Sequence, residues 1–99
     1  MNTYVLAFRG QPDRELPPGA AEKWGAWFGE LAPSIADPGS RTGDTVTVAA
    51  EAPGDPATAV ITGYTVVKAD SLAAAAELAG GCPGLAHGVS VEVGHLVEA

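Results

Sequence analysis

The chain has 99 residues, enough for a single domain spanning 1–99 and too few for a second hydrophobic core. Hydrophobic residues make up 46% and charged residues 17%, a balance that excludes a disordered or fibrous chain and predicts a folded one. Five Lys and Arg against twelve Asp and Glu leave a net charge of −7, which repels phosphate backbones and argues against DNA or RNA as partners.

The longest apolar run, Leu72 to Ala76, falls far short of the roughly 20 residues a membrane span needs. The opening Asn2-Thr3-Tyr4 has no basic n-region, so a cytoplasmic location without membrane contact is expected. The lone Cys82 agrees with a reducing compartment and excludes a cysteine-ligated zinc site.

Thr3 to Arg9 alternates Tyr4, Leu6 and Phe8 with Val5 and Ala7, which predicts a strand ending near Gly10. The proline-rich stretch from Gln11 to Gly19 reads as a surface loop. Trp24, Trp27, Phe28, Leu31 and Ile35 then recur at helical spacing and must be buried together. Gly25 and Gly29 in the same helix suggest close packing or a bend on their side.

Pro33 and Asp37-Pro38-Gly39 are expected to end this helix and turn the chain. Thr45 to Ala49 alternates Thr and Val and reads as a second strand, joined by a turn over Ala52 to Pro56 to a third strand from Ala59 to Lys68. In that third strand Val60, Tyr64 and Val66 are placed on one face and Ile61 and Val67 on the other, with a bulge or close approach at Gly63.

Asp70 or Ser71 can cap a second helix, Leu72 to Ala79, which the pair Gly80-Gly81 is expected to stop in left-handed geometry. Gly88 to Val97 reads as the last strand, with Val89, Val91 and Val93 on one face.

The order strand, helix, strand, strand, helix, strand predicts an α+β, ferredoxin-like βαββαβ fold. Its four-stranded antiparallel sheet carries both helices on one face. The other face keeps apolar side chains whichever way the sheet is turned, so a homodimer through that sheet face is expected.

Trp24-Gly25-Ala26-Trp27-Phe28-Gly29-Glu30-Leu31, Asp37-Pro38-Gly39, Gly63-Tyr64 through Ala69-Asp70-Ser71-Leu72, and Gly81-Cys82-Pro83-Gly84-Leu85 to Val91-Glu92-Val93 occur here in order. Together they resemble the YCII-related family, which includes proteins named for an Asp-Gly-Pro-Phe motif, over nearly the whole chain. The resemblance implies a dimeric α/β barrel and little about activity. One branch of the family has been proposed to act through a His on the first helix working with an Asp, but the matching region here carries Trp27. Asp55-Pro56-Ala57-Thr58 stands where the signature would be, and Gly84 follows Cys-Pro where relatives often have His. The acid/base pair therefore does not carry over.

Asp37 is the first catalytic candidate, since a carboxylate desolvated by Trp27 or Phe28 would serve as a general base. The competing role is structural, because Asp before Pro-Gly commonly bonds its own backbone. Arg41 would pair with Asp37 or hold a substrate carboxylate, and Tyr64 would offer its hydroxyl or fill an interface. His87 is a further acid/base candidate, with a surface loop position as the alternative. Trp27, Phe28 and Tyr64 are the expected pocket residues, though the aromatic stripe serves equally as core.

His87 and His95 are too few for zinc, and no phosphate loop or nucleophile elbow occurs, so no metal and no cofactor is expected. Cys82 has no neighbouring cation to activate it, and His95 continues the Val89, Val91, Val93 face as a structural residue. Two functional readings follow. The favoured one is an accessory or small-molecule-binding module for a small organic ligand. The alternative is a cofactor-independent isomerase or lyase with Asp37 as general base and Arg41 or Tyr64 stabilising an oxyanion.

Overall fold

A computed structural model of the chain describes residues 1–11, 16–46, 48 and 59–97. It contains strand β1 (Asn2–Gly10), helix α1 (Ala20–Leu31), strand β2 (Ile35–Arg41), strand β3 (Val60–Ala69), helix α2 (Leu72–Ala79) and strand β4 (Ser90–His95). The strands form one antiparallel sheet in the order β2-β3-β1-β4, so the fold is the expected ferredoxin-like α+β arrangement.

One sheet face is packed. Tyr4, Leu6 and Phe8 of β1 stand opposite Val67, Thr65 and Gly63 of β3, and opposite His95, Val93 and Val91 of β4. Trp27 and Leu31 of α1, Ala75 and Ala79 of α2, and Cys82 close over them in a single buried cluster. Leu6 and Val67 are completely enclosed, so each contributes roughly 1.5–3 kcal/mol of apolar burial. The opposite face carries Val5, Ala7, Ile61, Tyr64 and Val66, and no described element covers it.

Several expectations shift. α1 ends at Leu31, and a 3-10 turn over Ala32–Ser34 holds Pro33 in its first turn. Ile35 still packs on the core, but as the first residue of β2. Asp37-Pro38-Gly39 therefore lies inside the second strand and does not end a helix. Pro38 is tolerated because β2 is an edge strand and is bulged at this point. Thr45, Val46 and Val48 of the expected second strand lie outside the sheet, with Val46 and Val48 almost fully exposed. The turn expected over Ala52 to Pro56 lies outside the described residues.

The bulge expected near Gly63 is present: Phe8 pairs with Gly63 and Arg9 with Ile61, leaving Thr62 as the extra residue. Gly63 is also a close approach, since a Cβ there would stand 3.0 Å from the Ser40 carbonyl oxygen. The extra residue reverses the faces assigned to Val60 and Ile61. Val60 pairs with buried Gly10, and Ile61 joins Tyr64 and Val66 on the open face.

Ser71 caps α2, its side chain accepting from the Ala74 N–H at 3.1 Å. Gly80 ends the helix in right-handed geometry (φ −61°), so the glycine pair is not a left-handed stop. Gly81 and Gly84 instead make room for indoles: a Cβ on Gly81 would stand 2.9 Å from Trp27 Nε1, and one on Gly84 2.7 Å from Trp24 Cζ2. Gly25 and Gly29 meet nothing within 4 Å, so neither marks a packing contact.

Candidate functional site

A cleft of about 520 Å³ opens on the helix side of the sheet, at the end where β1 and β2 finish and β3 begins. Phe8, Thr62, Gly63 and Thr65 form its floor, and Trp24 and Phe28 of α1 form one wall. The far wall is His87, at the end of the 3-10 turn Pro83–His87, with Gly88 and Val89, and Arg41 and Thr42 close the β2 side.

The aromatic wall follows from the phase of α1. Trp27 and Leu31 occupy the middle of the apolar stripe and are sealed in the core, while Trp24 and Phe28 flank it and remain half-buried. Their rings lie 28° from parallel at 6.2 Å, and Phe8 meets both edge-on at 5.4 and 6.5 Å. Trp27 is only 6% exposed and does not line the cleft, which corrects its assignment as a pocket residue. Trp24 takes that place. Periodicity put both indoles on one stripe and could not tell its flank from its centre.

Asp37, Arg41 and Tyr64 do not converge. Asp37 pairs with Val66 on the open face, is exposed, and lies outside the cleft lining. Its Oδ1 accepts from the Gly39 N–H at 2.9 Å, the backbone-bonding role expected of Asp before Pro-Gly. Tyr64 borders the cleft as part of β3, but alternation with buried Gly63 and Thr65 sends its ring to the open face opposite Ala7. Arg41 pairs with Gly63, whose partner on β1 is inward-facing Phe8, so Arg41 stands on the cleft side.

The bulge between Asp37 and Ser40 produces this separation. Gly39 adopts φ +72°, and a Cβ there would stand 1.8 Å from the Tyr64 carbonyl oxygen. Thr65, buried in the floor, donates through Oγ1 to the Pro38 carbonyl at 3.0 Å and ties the bulge to β3. At the outer end of the same edge, Thr42 donates through Oγ1 to the Ile61 carbonyl at 2.9 Å.

His87 is half-buried in the far wall, 6.5 Å from the Trp24 ring. Its Nε2 and the Trp24 Nε1 are enclosed without a hydrogen-bond partner among the described residues. His95 is exposed and sets its ring 5.1 Å from Tyr4 at the other end of the sheet. Cys82 is buried in the core, and desolvation pushes its thiol pKa up against the lowering effect of the Gly84 and Leu85 backbone hydrogen bonds.

Arg41 is the one charged residue of the described lining. Among the described residues the one ion pair is Arg9 with Glu92, 3.3 Å apart and on the open face. No group of three His, Cys, Asp or Glu among the described residues could hold a metal ion. No protein-family model, no curated protein and no solved structure matches the chain.

Proposed function

We propose that the protein is a small-molecule-binding module whose ligand occupies the cleft between α1 and the sheet. The observation that carries this reading is the cleft itself. Its roughly 520 Å³ lies within the range of sites for small organic ligands. Half-buried aromatic rings, three threonine side chains and a single guanidinium face or border it, the mostly apolar and sparsely polar lining that such sites use.

The isomerase or lyase reading gains no support from this geometry. It needs a carboxylate beside the reacting carbon, and Asp37 lies on the far side of the sheet with its Oδ1 engaged by Gly39. A dimer joined through the open face completes the proposal, on the plan of the dimeric α/β barrels that the sequence resembles. Val5, Ala7, Ile61, Tyr64 and Val66 form the apolar centre that a second copy would cover.

Backbone amide spectra recorded during titration with a library of small organic molecules test the reading. Binders are expected to shift the amides of Phe28, Gly63, Thr65 and Gly88 together with the Trp24 indole N–H. Shifts confined to the open face, or none from any compound, would refute it.

A further inference from the structure

We infer that the ligand of this cleft is a small aromatic monocarboxylic acid, with the Arg41 guanidinium holding its carboxylate and its ring packed against the wall formed by Trp24 and Phe28. This rests on the small-molecule reading above and specifies the ligand class.

The argument begins with charge. The chain carries a net −7, yet no Asp or Glu occurs in the described lining of its cleft, and the one charged lining residue is an arginine. Guanidinium presents paired N–H donors in a planar fork that matches a carboxylate, and a lysine would lack that match. One cation in the described lining favours one carboxylate over a dianion, whose second charge would meet only neutral groups among the described lining residues.

Shape supplies the second half. Arg41 stands at the β2 side while the aromatic wall belongs to α1, so an anchored carboxylate directs the rest of a ligand inward over Phe8. The partners there are the π-faces and edges of Trp24, Phe28 and Phe8. A flat aromatic body uses these contacts better than a flexible chain, which loses rotamer entropy on binding. Thr62 and Thr65 already spend their hydroxyl protons on the Phe8 and Pro38 carbonyls, so the floor has little to offer a sugar-like polyol.

Titration calorimetry with benzoate and indole-3-carboxylate, each beside its neutral amide, tests the inference on the whole chain. The acids are expected to bind at least about tenfold more tightly than the amides, and to weaken as salt is raised. Arg41→Gln should abolish the preference, and Arg41→Lys should restore part of it. Far-UV circular dichroism checks that both variants fold, as expected for an exposed position at a strand end.

Amides binding as tightly as acids, or Arg41→Gln leaving the acids' affinity unchanged, would overturn the anion assignment while the cleft stands as a site. Absence of binding by acids and amides alike, with unshifted cleft amides, would overturn the assignment. The small-molecule reading falls separately, if no compound of the wider library shifts the cleft.

Discussion

Asp37 and Arg41 lie four residues apart on β2 and face opposite sides of the sheet. Residues four apart on a regular strand share a face. Here Asp37 pairs with Val66 and Ser40 with Tyr64, so β2 spends three residues where β3 spends two, and everything after the bulge is turned over. The acid is thereby removed from the cleft and the guanidinium delivered to it.

That bulge depends on one backbone position. Gly39→Ala combines a left-handed φ with a Cβ placed 1.8 Å from the Tyr64 carbonyl oxygen, so the strand pair must separate to admit it. A loss of about 3 kcal/mol or more is expected by chemical denaturation, with the Arg41-dependent preference for acids lost in any fraction that folds. Stability within about 0.5 kcal/mol of the parent would show that the bulge is not held this way.

Asp37 supports the same feature through its side chain. Asp37→Asn keeps an oxygen to accept the Gly39 N–H, and Asp37→Ala removes it. The first is expected to be near neutral and the second to cost about 1 kcal/mol. Neither should alter ligand affinity in the cleft, because the carboxylate faces the other way. A tenfold loss of binding in Asp37→Asn at unchanged stability would return Asp37 to the site.

Much of the fold was legible because local pattern and tertiary environment agree. β1 alternates cleanly, α2 is a run of helix-forming Ala and Leu behind a Ser71 cap, and β3 is β-rich, each with turn formers at its ends. The second strand was misplaced because Thr45 to Ala49 has the better alternation, while Ile35–Arg41 contains Asp-Pro-Gly, the signature of a turn. A bulged edge strand accepts those residues, and being at an edge is a property of the sheet that no local pattern records. The site was legible as residue types and not as an arrangement. Arg41 and Phe28 both line the cleft, but the face each β2 residue takes is fixed by the bulge, and periodicity does not separate Trp24 from Trp27.

Gly25 and Gly29 give a prediction of opposite sign to Gly39. Both are exposed within α1 and both have open space where a Cβ would go. Alanine at either site restricts the unfolded chain and is expected to stabilise by about 0.5–1 kcal/mol. In a domain this small that corresponds to roughly 2–8 °C in Tm. Destabilisation at either position would mean that the glycine serves a contact the monomer does not contain.

Cys82 sets a pH dependence. Burial raises its thiol pKa in the folded protein, so the unfolded chain releases the proton first as pH rises. The native state then holds more protons than the unfolded state, and stability falls with increasing pH. The loss begins near the ordinary thiol range around 8.5 and levels off above the raised native value, with no contribution from this group at neutral pH. Thermal unfolding between pH 7 and pH 10 should fall less steeply in Cys82→Ala than in the parent. Parallel curves would remove the thiol from the account.

The open face carries the last prediction. Val66 pairs with Val5 on one side and Asp37 on the other, near the middle of the face that the proposed dimer covers. Val66→Lys would bring two ammonium groups into an apolar interface related by a two-fold axis, at a desolvation cost of several kcal/mol per charge. In the separate monomer the same side chain points to water and costs little. Light scattering should return twice the 9.9 kDa chain mass for the parent and a single chain for the variant, with the variant's circular dichroism unchanged. A parent that stays at one chain mass up to high micromolar concentration would refute the dimer. The cleft would be untouched by that result, since Trp24, Phe28 and Arg41 all belong to one chain and lie on the opposite side of the sheet.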